Sequence, residues 1–248
     1  MIGVKTEAEL AAMRVSGRLA AEVLQRLTRA VAPGVTTGEL DELARQIMRE
    51  RGAASAFLGY RGFPGAICVS INEEVIHGIP GPRRIAAGDL VSIDVGVRYA
   101  EFVGDTAATV LAGVVDPDRI RLIATTQRAL EDGIAAVRAG ARLSDVSHAV
   151  EQAARAGGCT VVREFVGHGV GRELHEEPQV PNYGPPGRGP TLRAGMTFCI
   201  EPMINLGRAE VEVLADRWTV VTRDRRPSAH FEHAVAVRAE GAEILTRI

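Results

Sequence analysis

The run Gly167-His168-Gly169-Val170-Gly171-Arg172-Glu173-Leu174-His175 sets two imidazoles seven residues apart, with alternating glycines bracketing the first. Each such glycine disfavours a helix by about 1 kcal/mol against alanine. The backbone here is therefore predicted to be extended or looped and to approach something closely. Four acids that could partner the histidines lie inside apolar, strand-like runs: Asp94 in 90–97, Asp105 in 104–111, Glu201 in 197–204 and Glu232 in 229–237. A carboxylate withdrawn from water must be paired, hydrogen-bonded or bound to a metal. Any one of the four is equally well explained by a sheet edge or an ion pair with arginine. Together with the glycine-bracketed His168 they form a hard, oxygen-rich donor set, suited to two divalent cations that share bridging carboxylates. No cysteine spacing of the structural-zinc kind competes with it.

Helices and strands must bring these residues together. Thr6-Glu7-Ala8-Glu9 has capping-box form, and Leu10, Met13, Leu19, Val23, Leu24, Leu27 and Val31 follow at helical spacing, until Pro33-Gly34 stops the helix. Thr36-Thr37-Gly38-Glu39 opens a second helix that ends near Gly52. A strand is predicted over 66–71, a turn-rich connection over 72–82, and strands near 90–98 and 102–112. Asp116-Pro117-Asp118 starts a third helix running towards Arg138, and a fourth occupies about 144–156. A short strand at Val161 and Val162, the histidine loop and at least three more strands complete the chain. The proline- and glycine-rich 181–190 reads as a surface loop beside the mouth of a cleft.

This order occurs twice. Residues 24–52 overlay 130–158 at a constant offset of 106, matching Gly34 to Gly140 and Glu39 to Asp145. At an offset of 107, Ala87-Gly88 and Ile93-Asp94 match Ala194-Gly195 and Ile200-Glu201, so Asp94 and Glu201 are equivalent positions of two half-length units. The fold expected is α+β: two halves, about 1–112 and 113–248, related by a pseudo-two-fold axis, with a curved antiparallel sheet, helices on its outer side and the acids in a central cleft. The connection 111–118 is too short to be a linker, and the chain reads as one domain.

The totals narrow the function. With 29 basic and 31 acidic residues the net charge is −2, which leaves no basic excess for coating nucleic acid. Lys5 is the only lysine, which reads as composition bias. Cys68, Cys159 and Cys199 form no CxxC pair, the N-terminus carries no secretory pattern, and no apolar run approaches the roughly 18 residues of a membrane span. A reduced, cytoplasmic location without membrane attachment is expected.

Across nearly its whole length the chain resembles the type I methionine aminopeptidases. The matching words include Ser70-Ile71-Asn72-Glu73, His77-Gly78-Ile79-Pro80, Ile93-Asp94-Val95, Gly104-Asp105-Thr106, Gly167-His168-Gly169-Val170-Gly171-Arg172, His175-Glu176-Glu177-Pro178, Ile200-Glu201-Pro202-Met203 and Trp218-Thr219-Val220. The resemblance implies the duplicated pita-bread fold and removal of the initiator methionine from nascent chains whose second residue is small. It implies that Asp94, Asp105, His168, Glu201 and Glu232 ligate two divalent ions (manganese, cobalt, iron or zinc), with Asp105 and Glu232 bridging. His77 and His175 would contact the peptide, and Phe57, Tyr60, Phe63, Cys68, Leu174 and Trp218 would form the methionine pocket.

On this reading a metal-activated water attacks the methionine carbonyl, His175 donates to the developing oxyanion, and Glu201 moves the proton to the leaving amine. Phe57 and Ile76 stand where many relatives have cysteine, Leu174 where phenylalanine is usual and His230 where glutamine is usual, so pocket shape and rate depart from the common pattern. A monomer is expected, and any ribosome contact would come from the catalytic domain. His148 is expected at the surface, and His233 on the strand face opposite Glu232. A prolidase-like activity before proline, and a non-catalytic binding protein on the same fold, remain alternatives.

Overall fold

The computed structural model describes residues 2–114 and 116–248; Met1 and Val115, the latter inside the 111–118 connection, lie outside the described residues. Four helices form among the described residues: α1 Glu7–Ala30, α2 Thr37–Glu50, α3 Pro117–Ala135 and α4 Leu143–Ala156. Both expected capping boxes are present, with Thr6 Oγ1 accepting from the Glu9 N–H at 3.3 Å and Thr36 Oγ1 from the Glu39 N–H at 3.1 Å. Asp116 caps α3 through the Asp118 and Arg119 amides. Helix α3 stops at Ala135, short of the predicted Arg138. The Ala139 N–H is held by the Arg238 carbonyl and the Gly140 N–H by the Leu192 carbonyl, which draws the chain off the helix axis.

The strands of the first half are β1 Ala54–Ser55, β2 Cys68–Ile71, β3 Glu74–Ile76, β4 Leu90–Tyr99 and β5 Phe102–Leu111. The second half adds β6 Thr160–Val161, β7 Gly167–Gly169, β8 Glu176–Val180, β9 Thr197–Ile200 and β10 Met203–Asn205. It ends with β11 Val211–Val213, β12 Val220–Thr222, β13 Ser228–His230, β14 Glu232–Val237 and β15 Ala242–Ile244. Strand β3 corrects the reading of 72–82 as connection only: it is fixed by a partner far along the chain, β12, with Ile76 opposite Val220.

The main sheet runs β1-β4-β5-β14-β9-β7-β8, with β2 added to β4 and β15 to β14, and its pairings are antiparallel. The succession β2-β4-β5 in the first half meets its counterpart β7-β9-β14 in the second, so the duplicated halves join between β5 and β14. Strand alternation separates two chemistries. Ile93, Val95 and Val97 face the core shared with α1 and α2, while Phe198, Ile200, Val235 and Val237 face the core shared with α3 and α4. Each such side chain contributes about 1.5–3 kcal/mol on burial. Their alternates, Asp94, Cys199 and Glu232, face inward. Helix α1 lies flush on β5: a Cβ on Gly104 would come 2.5 Å from the Ser16 carbonyl oxygen. That contact packs the outer face of β5 while Asp105, next along, turns to the cleft.

Candidate active site

The four acids converge from three strands and from the residue that follows a fourth. Asp94 stands opposite Ala107 on β5 and Glu232 is opposite the same Ala107 from β14, while Asp105 is two residues away on the same face. Glu201 follows directly on β9. Each carboxylate has one buried oxygen with no hydrogen-bond partner: Asp94 Oδ1, Asp105 Oδ1, Glu201 Oε1 and Glu232 Oε1. An orphaned buried acceptor costs about 1–3 kcal/mol, and four side by side demand a shared positive partner. Without one, protons take its place. Burial raises Asp94 to about 7 and, with the charge of neighbouring acids, lifts Asp105, Glu201 and Glu232 well above the usual carboxylate range.

His168 points the same way. Its Nδ1 lies 3.0 Å from the Gly169 carbonyl, which can only accept, so the ring proton sits on Nδ1. Burial lowers this imidazole to about 4, so the ring is neutral and Nε2 offers a lone pair. That nitrogen lies 3.4 Å from Glu201 Oε1 and 3.8 Å from Asp105 Oδ2. Acceptors facing acceptors at these distances are what a divalent cation between them would satisfy, and the carbonyl behind His168 is the outer contact that metal-bound histidines use to fix their tautomer. The donor set therefore fits divalent metal binding.

Gly167 and Gly169, the first two of the alternating glycines, belong to a strand, β7. A Cβ on Gly167 would meet the Cys199 carbonyl oxygen at 2.4 Å, and one on Gly169 the Glu177 carbonyl oxygen at 2.2 Å. The close approach expected from the glycines is thus to the neighbouring strands, which flank His168 and hold it over the acids.

His175 sits at the rim. Its Nδ1 is 2.9 Å from the Tyr60 hydroxyl, the two rings stack at 5.3 Å between centroids, and the His168 ring centroid is 4.1 Å away. Burial first, then the charges of His168 and Arg61, lower it to about 3. His77 adopts φ 59°, a left-handed conformation that side-chain-bearing residues seldom take, with its ring edge-on to Phe165 at 5.8 Å and Trp218 at 6.3 Å.

All these groups line one cavity of about 260 Å³. Its acid floor is Asp94, Asp105, Glu201 and Glu232, its imidazoles are His77, His168 and His175, and its apolar wall is Phe57, Tyr60, Phe63, Cys68, Leu174 and Trp218. Phe165 and Arg61 line it too, and sequence reading missed both. Arg61 lies in a glycine-bracketed turn, Gly59-Tyr60-Arg61-Gly62, which was the available signal. Cys199 is a third omission: a ligand atom from each of Asp105, His168, Cys199 and Glu232 lies within 4.8 Å of the others. Its position two residues before Glu201, on the same strand face, was legible.

Other residues fall outside the cavity. Ile76 is buried in a separate cluster with Val75 and Val220. His230 is buried, with Nε2 lacking a partner, and burial lowers it to about 3. His233 faces away from the acids and pairs its Nδ1 with Thr246 Oγ1 at 2.9 Å. His148 is half-buried, not at the open surface, because its Nδ1 contacts the Gly184 carbonyl at 3.2 Å. That contact belongs to a docking of 181–190 onto the start of α4, where the Gly187 N–H donates to Asp145 and the Arg188 N–H to Ser144. The loop contributes no residue to the cavity lining, but Asn182 near its start donates to the Glu201 carbonyl at 3.0 Å.

Comparison with known proteins agrees with this geometry. The pattern of metallopeptidase family M24 matches residues 11–239. Methionine aminopeptidase 1 of Bacillus subtilis is 46% identical over 248 residues, covering 100% of both chains. The crystal structure of methionine aminopeptidase from Rickettsia prowazekii superposes with a TM-score of 0.98 at 43% identity, covering 100% of both chains. The prolidase of Pyrococcus furiosus, at 21% identity and a TM-score of 0.80 over 99% of this chain and 65% of its own, shares the pita-bread fold alone. With an acid-and-imidazole floor built for divalent cations and a family pattern spanning nearly every element that carries it, this chain belongs to metallopeptidase family M24.

Proposed function

We propose that this chain is a methionine aminopeptidase that hydrolyses the first peptide bond of chains with a free N-terminal methionine and a small second residue. The observation that carries the reading is the junction of an apolar wall with a floor of four carboxylates, each with one partnerless buried oxygen, and the His168 lone pair. Full-length relatives bearing that name support it.

Asp94, Asp105, His168, Glu201 and Glu232 would hold two divalent ions. Manganese, cobalt, iron and zinc all suit such donors, and availability selects among them. When bound, the ions lower the pKa of water towards about 7 and polarise the scissile carbonyl. The side chains do the rest. Phe57, Phe63, Cys68, Leu174 and Trp218, with the face of Tyr60, bind the methionine side chain and exclude water from it. His175 donates a hydrogen bond to the carbonyl oxygen as it gains charge, a contribution of roughly 3–4 kcal/mol in comparable sites. Glu201 takes the proton from the attacking water and delivers it to the leaving amine. His77, held in its strained turn by Phe165 and Trp218, orients the peptide beyond the scissile bond.

We further infer that the chain works as a single catalytic domain with halves of about 1–112 and 113–248, as a monomer in the cytoplasm, on nascent polypeptides near the ribosomal exit and without nucleic-acid specificity. No helix among the described residues is long and apolar enough to cross a membrane.

Assaying metal-loaded protein on Met-Ala-Ser against Xaa-Pro peptides tests the reading. Release of methionine alone is expected, whereas cleavage before proline or the absence of any hydrolysis would overturn it. Glu201→Gln should abolish release from Met-Gly-Met, and near-native turnover would remove Glu201 from its role.

A further inference from the structure

The cavity is acidic at its floor and has one cationic side chain, Arg61, in its lining. Arg61 is exposed and adopts φ 49°, ψ 23°, inside the short 3-10 turn Tyr60–Gly62. A backbone held in this sparsely populated region at the lip of a cleft is a reason to look for function. Its guanidinium carbon lies 5.3 Å from the centroid of Tyr60, the ring that stacks on His175. Arg45, Arg51 and Arg83 each close a salt bridge, whereas Arg61 has no carboxylate partner among the described residues.

Arg61 thus lines the cavity that holds the acids, is exposed at its edge, and stands next to the His175 side through Tyr60. We propose that Arg61 binds a carboxylate carried by the substrate just beyond its second residue, so that the chain favours methionyl peptides with Asp or Glu at the third position, or tripeptides ending there in a free carboxyl. The inference rests on the aminopeptidase reading. A guanidinium suits a carboxylate because its planar fork can donate two parallel hydrogen bonds. Exposure to solvent keeps the preference modest and salt-sensitive.

The test compares kcat/KM of the metal-loaded protein on Met-Ala-Glu-amide and Met-Ala-Gln-amide, and on Met-Ala-Ser as free acid and as amide. A preference of about two- to fivefold for the carboxylate is expected in at least one pair, fading towards unity at high salt. The first pair reports a side-chain carboxylate, the second a terminal one. Arg61→Gln should bring the ratio to about one, Arg61→Lys should retain part of it, and Arg61→Glu should reverse it towards Met-Ala-Lys-amide. Equal rates on both members of both pairs, or a ratio unchanged in Arg61→Gln, would overturn the proposal. So would a uniform fall on all peptides in Arg61→Gln, which would reduce Arg61 to a prop for Tyr60. Absence of hydrolysis of every methionyl peptide would instead count against the aminopeptidase reading itself.

Discussion

Tyr60 Oη and His175 Nδ1 lie 2.9 Å apart with their rings stacked, so the phenol restrains the orientation of the imidazole at the cavity rim. With the phenol donating, the proton of the neutral imidazole resides on Nε2, free to serve a substrate oxygen. Tyr60→Phe keeps the stack and removes this restraint. A fall of about tenfold in kcat is expected with little change in KM, while His175→Ala should cost about 100- to 1,000-fold. Steady-state kinetics on Met-Ala-Ser decide it; a Tyr60→Phe variant with unaltered kcat would show that the phenol does not position His175.

The loop bearing His175 is anchored from behind by the only lysine. Lys5 Nζ lies 2.6 Å from Glu176 Oε2, with side-chain exposures of 10% and 21%, and Glu176 Oε1 accepts from the Glu173 N–H at 3.3 Å. A Cβ on Gly171 would strike both Glu176 Oε1 and Lys5 Nζ, at 2.4 and 2.6 Å. Lys5→Met strands a mostly buried carboxylate and should destabilise the fold by about 1–3 kcal/mol, discounted from a fully buried pair for the remaining solvent. Lys5→Arg should recover part of that loss. Urea unfolding of the two variants measures the difference, and equal stability of wild type and Lys5→Met would refute the anchor.

Phe57 and Gly96 form a fitted pair in the pocket wall. A Cβ on Gly96 would lie 2.4 Å from Phe57 Cε1, so the ring rests directly on the β4 backbone two residues from Asp94. Gly96→Ala should push the ring into the cavity and raise KM for methionyl peptides about tenfold or more, an overpacking cost of about 1–3 kcal/mol. Adding Phe57→Ala should relieve the clash and lower KM again. A double variant no better than Gly96→Ala would place the damage elsewhere.

Without metal, stability should depend on pH with a definite sign. Asp94, raised to about 7, and the more strongly raised Asp105, Glu201 and Glu232 hold protons in the folded state that the unfolded chain has released. Their contribution is present at low pH and is lost as pH rises through the folded values. His77 and His168, lowered to about 4, act oppositely and lose their contribution only below the ordinary 6.5. Above about pH 7.5 the imidazoles are mostly neutral in both states and no longer oppose the carboxylates. The melting temperature of chelated protein should therefore fall between about pH 7.5 and about pH 8.5, and bound cations should remove or reverse that fall. Calorimetric scans with and without chelator check it; a chelated protein that gains stability over this range would contradict the electrostatics of the floor.

Much of this was legible in the residues. The capping boxes at Thr6 and Thr36 announced helix starts, and the offsets of 106 and 107 announced the duplication that joins the halves at β5 and β14. Asp94, Glu201 and Glu232 stood out because an acid inside an apolar alternation needs a reason. Strand β3 did not, since three residues carry no period and its pairing with β12 spans more than half the chain. The end of α3 was hidden for the same cause: carbonyls at Leu192 and Arg238 pull the chain off its axis. Cys199 and Arg61 were overlooked because a small apolar residue in a strand and an arginine in a turn are unremarkable until folding sets them beside the acids.

Titrating metal-free protein with manganese or cobalt in a calorimeter tests the central claim most directly. The account predicts saturation at about two ions per chain, with Asp105→Asn losing high-affinity binding of both. No saturable binding, or wild-type stoichiometry and affinity in Asp105→Asn, would contradict it.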